Sequence, residues 1–152
     1  MEGIAISYFQ NLFLLEARGN YDHLLSGIGK CIFEEDNQRL IAPYTMKEII
    51  EAMFEMGPTK ALREDGLPAV FYQKCWHIIG DDMIKFHLQI LNEGMEIKHI
   101  NSTHIALIPK IVNPFTMKQF RPISLCNVIY KILAKTIANW FRGVIDKCID
   151  VA

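Results

Sequence analysis

The chain has 152 residues, 51% of them hydrophobic, and a formal net charge of −1 at pH 7. That length suits one domain with its own core, and the apolar content excludes an intrinsically disordered chain. Four widely spaced cysteines without a CxxC pair, and five histidines at no ligand spacing, argue against a disulfide framework or a zinc site and fit a reducing compartment.

In chain order, the apolar run at residues 4–15 is interrupted by Ser7, Gln10 and Asn11 and has no basic segment before it. It therefore reads as neither a signal peptide nor a bilayer span, which predicts an intracellular protein with no membrane partner. Tyr8, Phe9, Leu12 and Phe13 fall on one helical stripe there. Residues 19–40 lack periodicity and predict loop with at most a helical turn. Thr45 and Glu48 have capping-box spacing and open a helix that turns the Ile49/Met53 and Ile50/Phe54 pairs inward and stops at Gly57-Pro58. Asp65-Gly66 marks a turn inside the following loop. A helix over 69–79 is expected to bury Phe71, Tyr72, Trp76 and Ile79 and to stop at Gly80. Asp81 or Asp82 then caps a second helix, 83–92, that ends at Gly94.

The segment 101–127 predicts a strand pair. Thr103, Ile105 and Leu107 alternate with His104, Ala106 and Ile108, and Pro109 and Pro114 stop the run. A second apolar run, FRPISL, follows a polar loop containing Asn113-Pro114, and the two runs carry Lys110 and Arg121. A Lys and an Arg brought together can grip a polyphosphate, one as a point charge and the other as a rigid fork. After Asn127, an N-cap, apolar residues from Ile129 to Val144 recur at steps of three and four, giving a long amphipathic helix with Lys131, Lys135 and Arg142 off its apolar face. Charge is split along the chain: residues 1–97 hold 8 Lys/Arg against 15 Asp/Glu, and residues 98–152 hold 8 against 2. Such a basic third suits a phosphate or nucleic-acid surface and equally suits solvated helix faces.

These segments carry a family resemblance. LIPK, the spacer NPFTMKQF and then RPISLCNVIYKILAKTIANWF resemble the fingers of reverse transcriptases from plant non-LTR (LINE-type) retrotransposons. Upstream, PTKALREDGLPAVFYQKCW is similar to that family's KAPGPDGLPA-type segment followed by FYQ-x-x-W, and ILNEG falls at its LNxG-type turn. The resemblance covers about residues 40 to 150, leaving 1–40 as helical lead-in and linker and 41–152 as a partial reverse-transcriptase domain. It implies an α+β fold: the mostly helical fingers of a right-hand polymerase, with one short antiparallel strand pair. The family's activity is magnesium-assisted RNA-directed DNA synthesis on a nucleic-acid template and primer, from deoxynucleotide triphosphates.

The resemblance also assigns roles. Arg121 would clamp triphosphate oxygens, Lys110 would add charge, and Lys60, Asp65 and Gly66 match a loop that positions substrate or template. In that loop Leu62-Arg63-Glu64 replaces the family's Pro-Gly-Pro, losing one stiff and one permissive backbone position. The family's metal-binding carboxylates lie downstream of the RPIS-type motif, so the expectation is a fingers fragment with no cofactor and no catalysis of its own. The string IIGDDMI imitates the metal-binding hairpin of viral RNA polymerases, but its helical surroundings make Asp81 and Asp82 helix-start residues. Two other functions remain open. One is a non-catalytic nucleic-acid-binding module using residues 98–147; the other is a piece that self-associates through exposed apolar faces.

Overall fold

The computed structural model describes residues 2–14, 29, 31–58 and 66–149. Among these are six α-helices and one two-stranded antiparallel sheet, the α+β class that the sequence predicts. In order they are α1 (Glu2–Phe13), α2 (Glu34–Ile41), α3 (Met46–Phe54), α4 (Ala69–Lys74), α5 (Trp76–Glu93), β1 (His104–Pro109), β2 (Phe120–Leu125) and α6 (Val128–Cys148). The chain divides into two compact units, one of Met1–Lys30 with Ala106–Ile123 and the other of Cys31–Ile105 with Ser124–Ala152. No helix among the described residues is long and apolar enough to cross a membrane.

The larger unit is organised around α3. The Thr45 N–H donates to the Glu48 carboxylate at 2.6 Å, closing the capping box and fixing where the helix begins. Ile49 and Met53, one turn apart, are fully buried with Ile132 of α6, and Met83, Ile84 and Val128 complete the centre of the core. Each such side chain contributes roughly 1.5–3 kcal/mol on burial, against about 0–1 kcal/mol for an exposed ion pair. The apolar seam therefore holds α3, α5 and α6 together, and the polar contacts along it set register.

Those polar contacts are specific. Trp140 of α6 donates its indole N–H to Glu48, so one carboxylate both caps α3 and receives α6. The Tyr44 ring stacks on Trp140 at 4.0 Å. Tyr44 and Asn92 exchange two hydrogen bonds, 2.9 and 3.0 Å, tying the start of α3 to the end of α5. Further along, Lys135 and Asn139 both reach Glu55, at 2.9 and 3.2 Å, and the Lys135 ammonium, then the Asn139 amide, holds the Glu55 carboxyl below its ordinary range.

Two helix boundaries differ from the sequence expectation. Residues 34–41 form a full helix, because Asp36 accepts a hydrogen bond from the Phe33 N–H (3.3 Å) and an ion pair from Lys147 of α6 (2.6 Å). That tertiary partner has no trace in local periodicity. The break expected at Gly80 falls instead at Cys75 (φ −89°, ψ 7°), and α5 runs unbroken through Gly80, Asp81 and Asp82. The two acids are thus exposed residues in a helix interior, not caps. Gly80 is present for space: a Cβ there would lie 2.9 Å from the Trp76 indole. Gly94 does end the helix, in the left-handed conformation (φ 72°) expected of a C-terminal glycine.

The apolar stripes are also narrower than periodicity suggests. Phe54, Phe71, Ile137 and Phe141 were expected to face inward, yet they remain 51%, 41%, 37% and 52% exposed. The core is built mainly from α3, α5 and α6, and it leaves part of each apolar stripe uncovered. The six-residue α4 buries only Ala69 fully, while Tyr72, Trp76 and Ile79 pack at the edge of the core.

Glycine substitutions on two helices should move stability in opposite directions. In α5, Gly80→Ala drives a methyl into an indole already held by the core and by Phe54, an overpacking that costs about 1–3 kcal/mol. In α6, the atoms nearest to a Cβ at Gly143 belong to the guanidinium of Arg39, the end of a flexible side chain that can swing away. Gly143→Ala should therefore keep most of the roughly 0.5–1 kcal/mol helix gain. Urea melts of the two variants check both signs.

A second expectation concerns pH. His87 is fully buried, with Nδ1 2.6 Å from the Met83 carbonyl and Nε2 3.1 Å from that of Ile129. Burial lowers its pKa, opposed by the two carbonyls. A folded-state pKa below the unfolded value means that stability is fully present above about pH 6.5 and is lost as pH falls through the folded value. Denaturation midpoints should fall on acidification below that point, and His87→Gln should flatten this component of the profile.

Candidate functional site

β1 and β2 present the two cations that the sequence singles out. The Lys110 N–H donates to the Gln119 carbonyl at 2.7 Å, which sets the two residues opposite one another at the mouth of the hairpin. Counting back along an antiparallel ladder pairs Ile108 with Arg121. Side chains two apart share a face, so Lys110, Ile108, Gln119 and Arg121 lie on one side of the ribbon, with Lys110 and Arg121 diagonal neighbours. The same register explains both prolines. Pro109 and Pro122 fall at positions whose nitrogens point away from the partner strand, so neither removes a ladder bond and both blunt an open edge.

The loop between the strands is built by one side chain. Gln119 Oε1 accepts from the N–H groups of Phe115 (2.6 Å) and Thr116 (3.1 Å), closing the short 3₁₀ turn Met117–Gln119 onto the preceding backbone. Asn113 supplies the sharp bend in the left-handed region (φ 54°), a conformation asparagine tolerates better than most residues. The Lys110 ammonium donates to the Lys118 carbonyl at 2.8 Å. This pins the cation across the hairpin without neutralising it. The Arg121 guanidinium is exposed and makes no hydrogen bond or ion pair with the described residues.

Charge is uncompensated here for a reason visible in the chain: no Asp or Glu occurs from residue 98 to residue 145. Three of the five other cations of the basic third pair with a carboxylate, Lys98 with Glu96, Lys135 with Glu55 and Lys147 with Asp36. Lys110, Lys118 and Arg121 have no carboxylate partner among the described residues. Between them stand Val112 and Phe115, each 89% exposed. Lys118, Gln119 and Phe115 were not singled out from sequence; the long acid-free interval was the signal that could have found the first.

The other sequence candidates are not gathered at this hairpin. Lys60 and Asp65 lie outside the described residues. Gly66 is described and takes φ 65°, the left-handed conformation that a turn of the Asp-Gly kind asks of its glycine. For the magnesium ion implied by the polymerase resemblance, the described residues offer no ligand cluster. Asp81 and Asp82 are consecutive on an exposed helix face and so diverge by about 100°, and no three-ligand group of His, Cys, Asp and Glu exists among the described residues.

Fold and hairpin together define a mixed α+β protein that holds cations, free of carboxylates, on a short antiparallel ribbon. No protein-family model matches the chain. Over 147 residues, 95% of its length, the chain is 29% identical to the Transposon TX1 uncharacterized 149 kDa protein of Xenopus laevis. It spans about 11% of that protein's length. This similarity supports a transposon origin for the chain.

If Arg121 is held for a ligand and not for the fold, its removal should leave stability untouched. Arg121→Ala is expected to shift the unfolding free energy by less than about 0.5 kcal/mol. Gln119→Ala, which frees two loop N–H groups, should cost about 1 kcal/mol. Chemical denaturation of the two variants side by side is the check.

Proposed function

We propose that the chain is part of a reverse-transcriptase-like protein of a non-LTR (LINE-type) retrotransposon, and that its β1–β2 hairpin is the surface that meets the triphosphate of an incoming nucleotide. The observation that carries this reading is the pairing of Arg121 and Lys110 on one face of the ribbon, with no carboxylate to neutralise them. The similarity to a transposon protein across 95% of the chain supports the wider assignment, and the animal source of that relative leaves the plant-type resemblance to rest on the motifs. In this role the Arg121 fork binds phosphate oxygens and Lys110, fixed by the Lys118 carbonyl, contributes a positioned charge. The chemistry of nucleotidyl transfer requires metal-binding carboxylates that the described residues do not assemble, so the chain's own contribution is alignment of the triphosphate. Lys60, Asp65 and Gly66 are proposed as a loop that positions substrate or template.

A second reading is favoured by Phe115. An aromatic ring 89% exposed and flanked by Lys110, Lys118 and Arg121 has the composition of a single-strand binding surface, where bases stack and cations follow the backbone. The exposed apolar residues of the ribbon and helices make self-association the outcome to be excluded.

Binding measurements separate these cases. Deoxynucleoside triphosphate affinity, read by calorimetry, should fall about 10- to 100-fold in Arg121→Ala, the loss of one or two charge-assisted bonds. Lys85→Ala, on the exposed face of α5, should leave it unchanged. Equal effects of the two variants would remove the triphosphate role. Single-strand binding that uses three cations should weaken with salt at a log–log slope of about −2 and should depend on Phe115. Salt-insensitive retention, or concentration-dependent association without nucleic acid, would point to the apolar faces instead.

A further inference from the structure

Cys31 and Cys148 are 117 positions apart, yet the fold sets their sulfur atoms 3.7 Å from each other. Cys31 lies three residues before α2, and Cys148 is the last residue of α6. The placement is reinforced from both sides. The neighbouring Lys147 ammonium binds the Asp36 carboxylate at 2.6 Å, so the end of α6 is anchored to the first turn of α2 independently of the thiols. Cys148 also donates to the Val144 carbonyl at 3.5 Å, while Cys31 donates to Cys148. Both are unoxidised; Cys148 is exposed and Cys31 partly so, which leaves them open to a small reagent. Cys75 and Cys126 lack such a neighbour: Cys126 donates to the Thr103 hydroxyl at 3.4 Å, and no other sulfur pair occurs among the described residues.

We propose that Cys31 and Cys148 form a reversible redox site, closing to an intramolecular disulfide under thiol-oxidising conditions and clamping the end of α6 to the chain that enters α2. The oxidant class is a low-molecular-weight disulfide such as oxidised glutathione. One cysteine thiolate attacks a glutathione sulfur, forming a mixed disulfide and releasing one glutathione thiolate. The second cysteine thiolate then attacks the protein sulfur of that mixed disulfide and releases the second glutathione. Two protein thiols lose two protons and two electrons, and one glutathione disulfide is reduced to two thiols. The sulfurs need only close from 3.7 Å to a bond of about 2.05 Å, a movement within reach of side-chain rotation on an exposed helix end. The hydrogen-bonded pairing with Cys31, then desolvation, hold the Cys148 thiol above its usual range, with Asp36 adding to this and Lys147 opposing it. Closure is therefore faster as pH rises.

The test uses the intact chain, incubated with graded ratios of oxidised to reduced glutathione, quenched by alkylation and mapped without reduction. The expected result is a linked peptide pair containing Cys31 and Cys148 in monomeric protein, at ratios where Cys75 and Cys126 remain alkylatable. The bridge closes a long loop, so the oxidised chain should melt roughly 10 °C higher than the reduced chain, reverting with dithiothreitol. Cys31→Ser should abolish the linked pair and leave a glutathione adduct on Cys148. Glutathione adducts spread evenly over all four cysteines of the wild-type chain would overturn the proposal. So would bridges formed only between molecules, or a linked monomer that melts no higher than the reduced one.

Discussion

The contact between α3 and α6 is the constraint from which the rest of the larger unit follows. Ile49 and Met53 on α3 and Ile132 on α6 are fully buried in one seam, and burial of that kind outweighs any single polar contact near it. Polar groups then decide how the seam is aligned. Glu48 begins α3 through Thr45 and receives Trp140 from α6, so the start of one helix and the rotation of the other are set by the same carboxylate. Glu55 does the corresponding work at the other end of α3, through Lys135 and Asn139.

That arrangement has an electrostatic consequence. The basic C-terminal third was an ambiguous feature, equally suited to phosphate binding and to solvated helices. Packing divides it. Lys135 and Lys147 are spent on the carboxylates of α3 and α2, holding those carboxyls in their charged forms, whereas the cations of the hairpin find no acid within their own stretch of chain. A ribbon with prolines on both open edges resists pairing with further strands, and its charge is left available to a phosphate.

Buried and reactive groups follow the same logic of position. His87 sits between the Met83 carbonyl of α5 and the Ile129 carbonyl of α6, and burial outweighs both in lowering its pKa, so the core carries a pH dependence of its own. Cys31 and Cys148, far apart in the chain, lie beside one another where the Asp36–Lys147 pair joins α2 to the end of α6.

Local chemistry in the sequence was enough for the capping box at Thr45 and Glu48, the Asn127 cap that accepts from the Tyr130 N–H at 2.7 Å, the glycine end of α5 and both strands. Each depends on residues within a few positions of one another, and the motif order around Lys110 and Arg121 was legible for the same reason. What tertiary structure alone decided are features whose causes lie far along the chain. Helix α2 exists with the help of Lys147, 111 residues away. Gly80 is a space for Trp76 and not a stop, so Asp81 and Asp82 stand inside α5. Periodicity could mark Phe54, Ile137 and Phe141 as apolar, but how much of each helix face is covered depends on how many neighbours pack against it. A sequence specifies which face is apolar; only the packed chain determines how wide a part of it meets a partner.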